Sequence, residues 1–284
     1  NASIPRKKGC RRRPAYPLAD LLYFLHNWDN VQGFIGFSTF YSIHLVSHLQ
    51  CDLGVSGAIG EIGVAGGKSF AAMAFTRQED ENLLACDLFS TGLEKDNVPD
   101  ANLPLFLDVL SDFRIPAEGV TILKQSSLQL SDNNLLGLAV GRRRAQSRMG
   151  PFRLFHVDGG HYAEAAFHDL NAAACALVPG GVVLVDDLHN LGYPGVQEGF
   201  HRYMQQQDEQ PARLLVPFLF TGRMFLTTAG GYAAAYRRAI LRAHPDLRTE
   251  SFYGSDVVLG PPHELKVTVE DFERLLHGQR PYAR

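Results

Sequence analysis

The sequence predicts an α/β fold in which helices flank a mostly parallel β-sheet. Two apolar runs rich in β-branched residues, at 153–157 and 182–185, enclose an alanine-rich segment that closes on a Pro-Gly-Gly turn at 179–181. Because a helical connection of this length joins parallel strands, we expect the two runs to be neighbours in one sheet. Two further runs, at 214–220 and 224–228, are three residues apart, which predicts a hairpin and an antiparallel last strand.

The other predicted elements complete this pattern. A short strand enters a glycine-rich turn at 57–69 and leaves it as a helix that runs to about 77. Further strands are predicted at 82–86 and 120–124, and helices at 18–28, 37–49, 103–113, 193–207, 232–243 and about 269–276. We divide the chain into a basic tail at 1–15, an N-terminal helical appendage or lid at 16–50, a ligand-binding domain at 51–229 and a helical C-terminal appendage with a loop rich in glycine and proline at 230–284.

Composition is that of a globular protein without a polyanionic partner. The net charge is −3, with 45% hydrophobic and 20% charged residues, so neither nucleic acid nor a membrane surface is favoured as a partner. No apolar run is long enough to span a bilayer, and the basic stretch at 6–13 is expected to be a solvated tail rather than a signal peptide. Four cysteines lack metal-ligand spacing, so we expect reduced thiols and a cytoplasmic protein: Cys10, Cys51, Cys86 and Cys175.

The glycine turn is a candidate ligand site. Glycines at 63, 66 and 67 let the backbone approach a ligand and leave the N-terminus of the next helix open to a polar group. The glycine spacing before Lys68 and Ser69 is not that of a phosphate-binding P-loop, and it also departs from the dinucleotide fingerprint. A plain tight turn remains the alternative.

Two polar residues at later strand ends support a nucleoside site. Asp87 ends the second strand about twenty residues beyond the glycine turn, where an acid accepts hydrogen bonds from ribose hydroxyls in nucleoside-binding α/β proteins. Ser126 follows the third strand, beside the expected position of a base. Either Ser126 or Ser127 could instead be a helix N-cap.

Three carboxylates are predicted to meet at one edge of the sheet. Asp158 follows the strand at 153–157, and Asp186 and Asp187 follow the strand at 182–185. Parallel strands end at the same edge, so these like charges would repel unless a cation lies among them. Oxygen ligands favour a hard divalent metal such as Mg²⁺. For Asp158 alone, an N-cap of the next helix is the alternative.

These motifs resemble those of a known enzyme class. Glu61-Ile-Gly-Val-Ala-Gly-Gly, Asp87 and the closing hairpin are similar to class I S-adenosylmethionine-dependent methyltransferases. More narrowly, the sequences HVDGGHY at 156–162, PGG at 179–181, the acidic pair at 186–187 and PGV at 194–196 resemble the macrocin O-methyltransferase family, which includes sugar O-methyltransferases of natural-product pathways and the cephalosporin hydroxylase relatives.

The resemblance implies a fold, two cofactors and a set of site residues. It implies a Rossmann-like, doubly wound, seven-stranded sheet that binds S-adenosylmethionine and Mg²⁺ or Mn²⁺. The metal would be held by Asp158, Asp186 and Asp187, with His161 as the general base and Asp158 as a second catalytic residue. The residues implied to bind S-adenosylmethionine are Glu61, Gly63, Gly66, Gly67, Lys68, Ser69, Asp87, Ser126 and Asp158.

The expected acceptor is a sugar or a glycosylated natural product. Aromatic residues that are close in sequence, Phe34, Phe37 and Phe40, together with the terminal appendages favour a homodimer or a larger homo-oligomer. The alternatives are a non-catalytic nucleoside-binding protein, a methyltransferase for a catechol-like acceptor, and a nicotinamide-dependent oxidoreductase, which the glycine spacing disfavours. For His161, the alternative is a surface histidine on the first turn of a helix.

Overall fold

The computed structural model of the 284-residue chain describes residues 14–90, 102–131, 134–135, 137, 152–206, 214–260, 272 and 274. The basic stretch at 6–13 and most of the predicted last helix, near 269–276, lie outside these residues.

One mixed sheet carries the fold. Its strands are β1 (Ala58–Ile62), β2 (Leu83–Asp87), β3 (Val120–Lys124), β4 (Phe152–Val157), β5 (Leu177–Val185), β6 (Leu215–Phe220), β7 (Met224–Thr228), β8 (Arg248–Phe252) and β9 (Ser255–Leu259). Their order across the sheet is β3-β2-β1-β4-β5-β7-β6-β9-β8. The first five strands pair in parallel, whereas β7 is antiparallel to both β5 and β6. The predicted mostly parallel sheet with an antiparallel last strand is confirmed.

The sheet is wider than the seven strands that the resemblance implies. Seven strands, from β3 to β6, form the expected core, and a C-terminal hairpin adds β9 beside β6 and β8 at the outer edge, giving nine strands in the described part of the chain. We predicted a loop here. The first four residues of β8, Arg248–Phe252, are all exposed, and a strand without a buried face has no apolar alternation to reveal it.

Helices cover both faces of the sheet, as a doubly wound fold requires. They are α1 (Leu18–His26), α2 (Phe37–Leu53), α3 (Lys68–Ala74), α4 (Leu103–Asp112), α5 (Ala163–Cys175), α6 (Pro194–Gln206) and α7 (Tyr232–Ala243). One apolar core packs helices α1, α2, α3, α4 and α7 against one face of the sheet. A second core packs α5 and α6 against the other face.

The N-terminal helices are part of the main core. Phe40 on α2 is fully buried, and its ring stacks on Trp28 with centroids 4.9 Å apart. The expectation that Phe34, Phe37 and Phe40 share a self-complementary surface is therefore wrong for Phe40. Phe34 is 81% exposed, whereas Phe37 packs partly buried against the core.

A buried arginine fixes α2 to the sheet. Arg153 at the start of β4 bonds both carboxylate oxygens of Glu81 through Nε, at 2.8 and 2.9 Å. Its other nitrogens donate to Ser47 Oγ, Gln50 Oε1 and the Thr76 carbonyl. Gln50 Nε2 in turn donates to the Arg153 carbonyl at 2.6 Å. This network ties α2 and the end of α3 to the amino edge of the sheet.

The Pro-Gly-Gly sequence at 179–181 was predicted as a turn before a strand, but it lies inside β5. The pairing of β4 with β5 shifts register across this segment, from Phe152↔Leu177 to Leu154↔Val182. Gly180 has φ +77°, a conformation that glycine adopts without strain. The segment is therefore a bulge within a longer strand.

One of the cysteines is not a reduced thiol. The expectation of reduced thiols throughout is wrong for Cys51, which is disulfide-bonded, whereas Cys86 and Cys175 are not in disulfides. Among the helices that the structure describes, none combines the length and the apolar character needed to cross a membrane.

Candidate active site

A glycine turn joins β1 to α3 at the carboxyl edge of the sheet. Gly63 has φ +81°, and a Cβ at this position would lie 1.6 Å from the Asp158 carbonyl oxygen, so no other residue fits between the ends of β1 and β4. Asp87, at the end of β2, accepts hydrogen bonds from the backbone N–H groups of Ala65 at 2.9 Å and Phe89 at 2.7 Å. The Asp87 carboxylate thereby fixes the glycine turn against the second strand.

Glu61 lies beneath this turn and is fully buried. Its Oε1 accepts a hydrogen bond from Ser69 Oγ at 2.5 Å and lies 2.7 Å from His156 Nδ1, while its Oε2 has no hydrogen-bond partner. Burial raises the pKa of Glu61, although the His156 hydrogen bond opposes the shift. Glu61 is thus a buried acid that lacks one donor.

The other residues expected to bind a cofactor at the turn have contacts within the protein. Lys68 is buried, and its Nζ lies 4.3 Å from the centroid of the Trp28 ring. A Cβ at Gly66 would lie 3.2 Å from the Gln32 carbonyl oxygen, and one at Gly67 would lie 2.8 Å from the Phe106 ring. The segment around 28–33 therefore covers this side of the turn.

Ser126 has the capping role that was left open for it. Its hydroxyl accepts a hydrogen bond from the Leu128 N–H at 3.3 Å and caps the short 3-10 helix Ser127–Gln129. Ser127 Oγ donates to Asp169 Oδ2 at 2.9 Å.

Three carboxylates and two histidines converge beside the glycine turn. The ligand atoms of His156, Asp158 and Asp186 all lie within 4.8 Å of one another, and so do those of Asp158, His161 and Asp187. His161 Nε2 is 3.1 Å from Asp187 Oδ2 and 3.8 Å from Asp158 Oδ1. The predicted meeting of the acidic strand ends is therefore observed, with Asp158 shared by both groups.

The backbone after β5 is shaped to present two acids together. Asp187 has φ +52°, a left-handed conformation that aspartate tolerates better than most residues. Its N–H donates to Asp186 Oδ1 at 2.8 Å, and its Oδ1 accepts from Asn190 Nδ2 at 2.9 Å. The turn thus fixes both carboxylates.

The pKa values show how strongly these groups interact. Burial would raise the pKa of Asp158, but His161 and the charges of His156 and Arg223 outweigh it and lower the pKa to about 2. Burial, followed by the Asp158 charge, raises the pKa of Asp186 to about 7. Burial opposes protonation of His161, yet Asp158 and Asp187 raise its pKa to about 10. Negative charge is therefore in excess.

The structural alternatives for Asp158 and His161 are wrong. The N-cap of α5 is Tyr162, and no side chain caps that helix. His161 precedes the helix, and its side chain is only 14% exposed because its ring stacks on Tyr193, with centroids 4.0 Å apart and planes at 14°. Neither residue has a role that helix capping or surface exposure explains.

Arg223 is a site residue that the sequence analysis missed. Its Nε donates to His156 Nε2 at 3.1 Å, and its Nη2 pairs with Asp186 Oδ2. Arg223 was visible only as part of a hairpin connection. Sheet register is the signal that finds it: His156 pairs with Leu184, which pairs with Phe225. Asp186 and Arg223 each lie two residues from that row, so their side chains share one face.

Comparisons with known proteins agree with the fold. Residues 61–188 match the family model described as a methyltransferase domain. The O-methyltransferase NovP has a similar structure, with 15% identity, a TM-score of 0.51, and 69% of this chain and 81% of NovP covered. A protein from Klebsiella pneumoniae described as an O-methyltransferase matches with 16% identity, a TM-score of 0.50, and 74% of this chain and 90% of its own covered. No curated protein matches in sequence.

Proposed function

We propose, from the match of residues 61–188 to a methyltransferase-domain model, that this chain is a class I, S-adenosylmethionine-dependent methyltransferase. It would transfer a methyl group to a hydroxyl oxygen of a sugar or another small natural product. One observation carries the proposal: the glycine turn lies against the strand end that bears Asp158, since a Cβ at Gly63 would lie 1.6 Å from the Asp158 backbone carbonyl oxygen. A cofactor at the turn and an acceptor at the carboxylates would therefore be neighbours.

The residues at the turn fit S-adenosylmethionine. Glu61 Oε2 is a buried carboxylate oxygen without a donor, which is costly, and the ammonium group of the cofactor is a donor of the right charge. Each oxygen of Asp87 accepts one backbone N–H and keeps a second lone pair, which ribose hydroxyls can use. These two acids are the proposed cofactor anchors.

The carboxylate cluster fits Mg²⁺ or Mn²⁺. Asp158, Asp186 and Asp187 offer the oxygen ligands that these ions prefer, and their ligand atoms lie within 4.8 Å in each group. Opposite ligands of an octahedral Mg²⁺ are about 4.2 Å apart, so small side-chain adjustments suffice. When bound, such an ion would act as a Lewis acid and lower the pKa of a coordinated hydroxyl.

His161 is the proposed general base. Attack of the acceptor oxygen on the methyl carbon breaks the carbon–sulfur bond, releases a neutral thioether and leaves a proton that His161 Nε2 can take. The pKa of about 10 reflects carboxylates whose charge is not fully balanced, and partial neutralisation of Asp158 and Asp187 brings His161 back toward its ordinary value near 6.5. The Tyr193 ring holds the imidazole plane by stacking.

Oxygen is the proposed acceptor atom because NovP and the Klebsiella protein are both named as O-methyltransferases. Two neighbouring hydroxyls could be oriented together by one hard cation, a requirement that a sugar diol and a catechol both meet. Assaying both acceptor types with labelled S-adenosylmethionine separates them.

Calorimetry and one matched pair of variants test the proposed function. The protein is titrated with S-adenosylhomocysteine, and methyl transfer is then measured with Mg²⁺, with EDTA, and in Asp187→Asn beside the exposed control Asp246→Asn. We expect cofactor binding in all proteins, and loss of turnover in EDTA and in Asp187→Asn alone. If the protein does not bind the cofactor at millimolar concentration, the methyltransferase proposal is wrong. Full activity in EDTA together with a wild-type rate for Asp187→Asn rejects the metal.

The chain is also proposed to form a homodimer. Phe34 and Leu191 are 81% and 90% exposed, and they are the proposed contact residues. Light scattering at tens of micromolar protein that gives a strictly monomeric mass rejects this proposal.

A further inference from the structure

A buried polar chain runs across one face of the sheet from the glycine turn to the carboxylates. Ser69 Oγ donates to Glu61 Oε1 at 2.5 Å, and Glu61 Oε1 is 2.7 Å from His156 Nδ1. Arg223 Nε donates to His156 Nε2 at 3.1 Å, and Arg223 Nη2 pairs with Asp186 Oδ2. Five parts of the structure are thereby linked: α3, β1, β4, the β6–β7 hairpin and the turn after β5.

The sequence of donors along this chain is fixed by Arg223. A guanidinium nitrogen can only donate, so His156 Nε2 must be the acceptor and His156 carries its proton on Nδ1. That Nδ1–H then donates to Glu61 Oε1. The two bonds between Arg223 and Glu61 therefore both point toward Glu61, which defines one tautomer and one ring orientation for the histidine.

The path is sealed from water over most of its length. Glu61, His156 and Arg223 are 0%, 1% and 5% exposed. In such surroundings hydrogen bonds strengthen one another, and a displaced member cannot be replaced by water without cost. The two ends differ: Glu61 Oε2 lacks a donor, and Asp186 lies among the other acids.

We propose that Arg223 is a positioning residue that fixes the Asp186 carboxylate, and that the chain through His156 and Glu61 couples this position to occupation of the cofactor site. The inference rests on the proposed function. A donor that reaches Glu61 Oε2 holds Glu61 in place, and His156, Arg223 and Asp186 are then held in turn. Binding of S-adenosylhomocysteine, the product form of the cofactor, is therefore expected to hold the Asp186 carboxylate in position to bind a divalent cation.

Titration calorimetry measures this coupling directly, without turnover. Mg²⁺ is titrated into the wild-type protein with and without saturating S-adenosylhomocysteine, and Mn²⁺ spectra by electron paramagnetic resonance report the ligand geometry in the same samples. We expect the cation to bind at least fivefold more tightly when S-adenosylhomocysteine is present, at the low end of measured couplings between sites.

Variants test whether the coupling passes through this series of hydrogen bonds. Arg223→Gln is expected to reduce the ratio of the two cation affinities to about one and to change the Mn²⁺ spectrum, while affinity for S-adenosylhomocysteine in metal-free buffer stays within about twofold. Arg223→Lys keeps the charge but cannot reach both partners with a fork, so it should restore only part of the ratio. The control is Thr227→Val. Thr227 is fully buried on β7, and its hydroxyl donates to the Gly181 carbonyl, which is not part of this series of hydrogen bonds.

The outcomes separate this inference from the proposed function. Equal cation affinity with and without S-adenosylhomocysteine in the wild type, or an unchanged ratio in Arg223→Gln, overturns the coupling while cofactor and metal binding stand. Failure of the wild type to bind S-adenosylhomocysteine or any divalent cation overturns the proposed function and this inference with it. If Arg223→Gln does not fold, His156→Gln breaks the same path one bond away, and a wild-type ratio in that variant is equally decisive.

Discussion

Two buried arginines, one on strand β4 and one that contacts it, have different roles. Arg153, at the amino edge of the sheet, bonds Glu81, Ser47, Gln50 and the Thr76 carbonyl. Arg223, at the carboxyl edge, bonds His156 on the same strand and pairs with Asp186. Their exposed fractions, 2% and 5%, are alike, so burial does not distinguish them.

Charge balance distinguishes them. Arg153 meets one carboxylate at close range, and its nitrogens face uncharged acceptors elsewhere. Around Arg223, three carboxylates share one arginine, and although burial opposes it, Asp158 and Asp187 raise the pKa of His161 to about 10 by stabilising its protonated form. A balanced buried pair is costly to break by removing one partner, whereas an unbalanced cluster at a sheet edge indicates a site that receives a charged ligand.

The largest expected effect is on stability, at the amino edge. Arg153→Met leaves Glu81 buried without its partner, so we expect a loss of about 3–5 kcal/mol in the free energy of unfolding, measured in urea. Arg202→Ala removes an exposed pair with Glu198 and is the control, with an expected loss of at most about 0.5 kcal/mol. A loss in Arg153→Met as small as that in Arg202→Ala would mean that the Arg153 network contributes little to stability.

The next effect is on turnover, at the carboxyl edge. His161→Gln removes the proposed base while keeping a polar side chain of similar length, so turnover should fall by roughly 10²–10⁴-fold. Cofactor affinity should be unchanged. His26→Gln, on the exposed face of α1, is the matched control. An unaltered rate in His161→Gln would assign proton removal to another group.

Cofactor affinity should respond at Asp87. Asp87→Ala removes the acceptor that fixes the glycine turn and the proposed ribose partner, so binding of S-adenosylhomocysteine should weaken by about 1.5–3 kcal/mol, the range for hydrogen bonds to a charged group. Asp87→Asn keeps one acceptor oxygen and should lose less. Equal affinity in all three proteins would remove Asp87 from the cofactor site.

The smallest effect is a pH dependence near Arg153. Burial, with the Arg153 charge adding to it, lowers the pKa of His44 to about 3. The unfolded chain then binds more protons than the folded one, so His44 costs stability as pH falls from about 6.5 toward 3. Between pH 6 and pH 5 the wild type should lose about 1 kcal/mol more than His44→Gln in urea unfolding. Parallel losses would show that His44 is protonated in the folded protein.

Sequence alone reaches features that follow from local pattern. The bounds of β3, Val120–Lys124, match the prediction, and Asp158 and Asp186 meet where parallel strand ends require. Arg223 and Arg153 are invisible to pattern because their partners are distant in sequence, His156 at 67 residues and Glu81 at 72. Pairing register between strands identifies Arg223, and the packing of α2 and the end of α3 against β4 identifies Arg153; only the folded chain provides both.

The outermost strand, β8, has a consequence for how chains can meet. Side chains of its first four residues, Arg248, Thr249, Glu250 and Ser251, are all exposed, and two of them are charged. Unpaired N–H and C=O groups at a sheet border invite a second sheet to dock strand to strand, and exposed charges discourage it. Self-association is therefore expected to use helices or loops. A search for substitutions that split an oligomer should start at those surfaces, with β8 as the place to attach a label or a tag.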